Sequence, residues 1–151
     1  MTTNWAAKTG AVFYALWGAV HVAGAGVQLA TLHGEGPNGL ARLIASATPY
    51  DAAAQPVPEV AGRFMGMGAF NILWIGVLVL VVAVTMNWRN RPLGYWLNLG
   101  VVGATDFGLL WFLLASGTMA WTDGGIGLSL FVVALIFATV GYRKAGTLSP
   151  A

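Results

Sequence analysis

Four long apolar stretches alternate with short polar breaks along the chain, and the repeat length of these stretches predicts helices rather than strands. They run from about Lys8 to Leu32, Glu59 to Met86, Pro92 to Ser116 and Thr122 to Tyr142. Each exceeds the roughly 20 residues that a helix needs to cross a bilayer. A longer connection, residues 33–58, separates the first two stretches and is punctuated by Gly34, Gly36, Pro37, Gly39, Pro49, Pro56 and Pro58. Within it, Gly39 to Ser46 suits a short interfacial helix. The second and third stretches meet at the tight basic turn Asn87 to Arg91, after which Pro92 suits a first helical turn. Gly117 to Trp121 joins the third stretch to the fourth.

Composition strengthens this picture. Of 151 residues, 58% are hydrophobic and 8% charged, with a mean hydropathy of +0.74. That leaves too little polar surface to coat a soluble globule, and no length for a separate soluble domain. The fold class expected is all-α, an integral membrane four-helix bundle forming one domain, residues 1–151. Lys8, Arg89, Arg91, Arg143 and Lys144 fall on one side, so the positive-inside rule places both termini in the cytoplasm of a multi-pass cell-membrane protein and residues 33–58 outside. A cleaved signal peptide ending near Ala23 to Ala25 is the rival reading of the N-terminus, but a single Lys and a long apolar stretch speak against it. The basic residues are scattered at helix ends, which suits orientation in a lipid bilayer and not a nucleic-acid footprint. Absence of Cys excludes disulfides and thiolate chemistry. Trp88, Tyr95, Trp96, Trp121 and Tyr142 sit where aromatic rings anchor helices in the headgroup region. Gly62 and Gly66, the Ala15, Ala19, Ala23 repeat, and Gly100 with Gly103 predict close helix contacts, within one chain or in a homo-oligomer.

Against this background Asp106 stands out, because a carboxyl group near the bilayer midplane is costly and marks a functional site by default. At 1.5 Å per residue, His21 lies roughly 20 Å from Lys8, and Asp106 roughly 22 Å from Arg91, so the two are level. Asn71 and Gln28 fall one or two turns nearer the outside, and Glu59 and Arg63 higher still. Tyr14, Trp17, His21, Gly24 and Gln28 form one helical stripe, and Arg63, Met67, Asn71 and Trp74 another. Facing inward, these stripes would enclose a pocket in the outer half of the bilayer, lined by Trp17, Gln28, Arg63, Trp74 and Trp111 and carrying Asp106, His21 and Asn71 as catalytic candidates.

Plainer roles stand beside each of these. His21 can simply tie the first helix to the third through Asp106. Asp106 can be a structural partner of His21 or Arg63, Asn71 and Gln28 can be interhelical glue, and Glu59 with Arg63 fits an i,i+4 ion pair. Chemically, an Asp, His and Asn set in an apolar pocket suits proton transfer on a small apolar ligand drawn from lipid, as in isomerisation. No Ser-His-Asp spacing, HExxH, phosphate loop or dinucleotide motif is present, which argues against hydrolases of those types and against nucleotide-driven enzymes. No metal site is expected, and the residues themselves name no cofactor. The alternative class is non-enzymatic: an accessory or immunity subunit, or a small oligomeric transporter.

Ala69-Phe70-Asn71, followed 35 residues after Asn71 by Asp106-Phe107-Gly108 and then Trp111-Phe112, resembles the styrene oxide isomerase family, small four-helix membrane proteins that isomerise an epoxide with the help of haem. The resemblance covers about 45 residues of the second and third helices. It implies Asn71 and Asp106 as site residues and haem as cofactor. At the positions of the family's haem-ligating His and active-site Tyr this chain carries Met65 and Leu110, so those roles do not carry over, although Met is itself a haem ligand and His21 offers an imidazole from another helix.

Overall fold

The computed structural model describes residues 4–49, 51 and 55–147, with side chains as far as Lys144. The described residues are helices joined by short turns. Helix α1 spans Trp5–Ile44, α2 Glu59–Thr85, α3 Pro92–Leu109 and α4 Trp121–Thr147. A 3-10 turn, Asn87–Arg89, links α2 to α3, and a π-helical turn, Leu110–Leu114, extends α3. All four helices are long and apolar enough to cross a membrane, the architecture of a multi-pass membrane protein. Large apolar side chains such as Phe64, Val84, Phe107 and Ile136 are correspondingly exposed.

The first helix is longer than its hydropathy predicts. It continues past Leu32 to Gly36, whose φ of 71° and ψ of −170° break the helix, and resumes as an arm, residues 37–44. Only glycine adopts such a dihedral pair without strain. Pro37 then opens the arm, where its fixed φ is helical and its missing N–H is not needed. The expected outer loop 33–58 is therefore shortened to residues 45–58, and the short helix expected at Gly39 to Ser46 lies two residues earlier.

Helix α1 packs chiefly against α2 and α4. Its crossing with α2 is set by two glycines in mutual contact. A methyl group on Gly18 would lie 2.7 Å from the Gly76 carbonyl oxygen, and one on Gly76 would lie 2.9 Å from that of Gly18. The crossing with α4 is equally close, since a methyl group on Gly10 would lie 2.7 Å from the backbone nitrogen of Ala138. Tyr14, Trp17, Val79, Val102 and Ala134 fill the core between these crossings. At one end, Asn4 and Asn90 both donate to the Gly141 carbonyl, at 2.8 and 3.0 Å, and Asn98 donates to Asn87 at 3.2 Å. Asn90 is left-handed, with φ of 52°, and so closes the turn between α2 and α3.

The small residues singled out from the sequence take different places. Gly62 and Gly66 abut Pro37 and Leu32 of α1 and so serve packing within the chain. Ala19 and Ala23 are exposed, Gly100 has no neighbour, and Gly103 meets only Phe131. Substituting Gly18 by Ala forces the α1–α2 crossing apart and is expected to cost about 1–3 kcal/mol, whereas Gly24→Ala, with nothing within 4 Å, costs nothing and adds up to about 1 kcal/mol through helix propensity. Reversible unfolding of the two variants in mixed micelles measures the difference.

Candidate functional site

One face of α3 carries Gly94, Asn98, Val102 and Asp106, all buried. The spacing of four residues keeps them in line along the helix and turns Asp106 toward α1. There Trp17, fully buried, donates its indole Nε1–H to the Asp106 carboxyl group, 3.2 Å from each oxygen. Asp106 is only 1% exposed. This bond joins helices that are diagonal in the bundle.

His21, one turn further along α1, stacks on Trp17 with ring centroids 3.6 Å apart and planes 20° from parallel. Its Nδ1 lies 2.8 Å from the Trp17 carbonyl oxygen. A carbonyl oxygen can only accept, so Nδ1 carries a proton, and in its neutral form the ring has Nε2 as an acceptor. The absence of a side chain at Gly127 makes room for the ring, since a methyl group there would lie 2.8 Å from Cε1 and 3.3 Å from Nε2.

Beyond His21 the four helices diverge around a cavity of about 720 Å³. His21 and Gln28 of α1, Ile72 and Ile75 of α2, Thr105 of α3 and Asp123 of α4 are among its walls. The π-helical turn, seen in the bond from Ala115 N–H to the Leu110 carbonyl at 2.8 Å, carries Phe112 and Leu113 into the same lining. Such turns recur at functional sites. Ile44 of the arm also reaches the cavity. Just beyond it, Ala47 N–H donates to the Thr118 carbonyl, Thr48 Oγ1–H to that of Gly117, and Ala120 N–H to Ser46 Oγ. The arm thus crosses the bundle end and is fastened to the α3–α4 turn, roofing the cavity. At the side the cavity is open: Val20, Gly24, Ala104 and Phe112 are lining residues that remain exposed. A second hollow, about 550 Å³ between Phe13 and Trp121, has no titratable group in its lining.

Of the residues chosen from the sequence, Trp17, His21 and Asp106 are brought into one chain of contacts, and His21 and Gln28 line the cavity, whose lining includes neither Trp17 nor Asp106. The second-helix stripe joins neither. Arg63 is exposed and paired with Glu59 at 2.6 Å, and Met67, Asn71 and Trp74 face outward on α2. Trp111 is also exposed, 64%. The partner of Asp106 is Trp17 and not His21 or Arg63. A buried indole N–H needs an acceptor, and that requirement, with Trp17 one turn from His21, is the signal that pairs Trp17 with Asp106. Thr105, Gly127 and the π-helical turn carry no comparable mark in the sequence.

Haem requires an axial ligand and cations for its propionates. His21 offers the first, but Met65 is not part of the lining, and the charged residue that is, Asp123, has the wrong sign. The lining does not fit haem.

Comparison with known proteins finds no matching family model, curated protein or solved structure. The chemistry of the site therefore rests on its own geometry.

Removing one member of the buried pair strands the other. Trp17→Phe is expected to destabilise the bundle by about 1–3 kcal/mol, and Asp106→Leu in the same chain to recover most of that loss. A double-mutant cycle of unfolding free energies measures the coupling.

Proposed function

We propose that this multi-pass cell-membrane protein, with both termini cytoplasmic, takes a small apolar molecule from the bilayer into the four-helix cavity and transfers a proton at His21 Nε2, an isomerase-type step. The observation that carries this reading is the His21 ring, its Nδ1 committed to the Trp17 carbonyl, in the wall of a 720 Å³ cavity. That volume lies in the range of small-molecule sites, about 300–1,000 Å³. The walls are mainly apolar, with Ile72, Ile75, Leu109 and Phe112 offering contact to hydrocarbon and His21, Gln28 and Thr105 offering direction. The open side, where Val20, Gly24, Ala104 and Phe112 are exposed, supports access from lipid.

In the step proposed, Nε2 accepts a proton from the ligand and the ring becomes an imidazolium held by its Nδ1–H bond to Trp17. Asp106, bonded to the indole on which His21 stacks, favours that cation when ionised. Return of the proton to a different atom of the ligand completes an isomerisation with no net consumption of protons. The styrene oxide isomerases work with haem, which this lining does not fit, so the proposed step rests on His21 and its contacts alone, and Asn71, exposed on α2, has no part in it.

Two probes test the reading, 1-naphthol for binding and 3-cyclohexenone, whose isomerisation to the conjugated enone moves one proton between carbons, for turnover, each titrated into protein in lipid nanodiscs. Gly108 lines the cavity and a side chain there meets nothing within 4 Å. Gly108→Leu should therefore fill the space and weaken naphthol binding at least tenfold, while Gly100→Leu, outside the lining, should not. His21→Phe and Asp106→Asn should abolish turnover with the fold intact. Naphthol binding indifferent to Gly108→Leu would sink the cavity as the site, and binding without turnover would leave a non-enzymatic carrier or accessory protein.

A further inference from the structure

The outward face of α2 carries a second pattern. Val60, Phe64, Met67, Asn71, Trp74 and Leu78 follow one another at alternating steps of four and three residues, and all six are exposed. That alternation is the seam by which two helices mesh side chains along their length. Gly68 lies beside it with nothing within 4 Å of the position a side chain would take, so another backbone can come close.

Asn71 is what distinguishes this face from a surface that simply meets lipid. It lies about 18 Å along α2 from Glu59 and about 24 Å from Asn87, deep in the span, and its short side chain cannot reach the headgroups as a Lys or Arg would. It makes no hydrogen bond among the described residues. Exposed hydroxyls within the spans, by contrast, reach their own helix backbone, as where Ser129 donates to the Gly125 carbonyl and Thr85 to that of Val81. An unsatisfied amide in hydrocarbon is costly, and interhelical bonds from Asn are a recognised cause of helix association in membranes.

We propose that two copies of this chain pair through the α2 seam, with their Asn71 amides hydrogen-bonded to each other. The occupant follows from depth and chemistry. An amide offers both donors and an acceptor, so it is complementary to itself. Copies inserted the same way are related by a two-fold axis along the membrane normal, which sets each seam residue opposite its own counterpart at the same depth. A second copy therefore meets Asn71 with the group it lacks. The exposed faces of α3 and α4, with Phe107 and Trp111 or Val132 and Ile136, carry no side-chain amide.

Fluorescence energy transfer between labelled chains, at decreasing protein-to-lipid ratio in vesicles, tests the pairing. The expected result is a dimer whose dissociation constant rises about tenfold in Asn71→Leu and returns close to the original in Asn71→Gln. Because the chain has no cysteine, Met67→Cys and Ile136→Cys each introduce a single thiol. Oxidation should link chains carrying the first, on the seam, and not those carrying the second, on α4. Monomers at every ratio, equal affinity of Asn71→Leu, or preferential linking through Ile136→Cys would overturn the proposal. Asn71 lies outside the core, and unchanged helical circular dichroism confirms that its variants fold.

Discussion

A carboxyl group enclosed by apolar helices needs a donor, and the bundle supplies one from the opposite side through Trp17. That single demand organises much else. To reach Asp106 with its indole, Trp17 must be buried on α1, which requires α1 to sit close against its neighbours. Close seating comes from the glycines at the crossings with α2 and α4. His21 then takes its place by stacking on Trp17 and bonding to its carbonyl, so the orientation of its free nitrogen is inherited from the Trp17–Asp106 bond. Packing and site chemistry are thus the same set of contacts.

The four spans were legible because hydropathy is a local property. His21 and Asp106, placed level by counting from Lys8 and Arg91, do meet through Trp17. The rotation of α2 was not legible. In a soluble protein an apolar stripe marks the buried side, but in a membrane both the core and the lipid are apolar, and a 3–4 stripe marks only a face. Arg63, Met67, Asn71 and Trp74 share a face, and it is the outer one.

Small residues posed a similar difficulty. The Gly62-xxx-Gly66 step, marked by its spacing, does pack against side chains of α1, yet the backbone-to-backbone contact of α1 and α2 uses Gly18 and Gly76, one from each helix and with no motif in either. Such a contact is a property of two segments at once. The arm was hidden for another reason: Gly36 and Pro37 read as loop punctuation, whereas together they end one helix and begin the next.

The arm has a bearing on how the protein is made. Helix α1 is synthesised first, but the groups that fasten its far end, at Gly117, Thr118 and Ala120, leave the ribosome only after α3 has been completed. Trp17 likewise waits for Asp106. Until then the nascent chain holds an apolar hairpin of α1 and α2 with an indole lacking its acceptor and an arm lacking its anchor. Site and roof are therefore acquired late and together, and a chain truncated before α3 has neither.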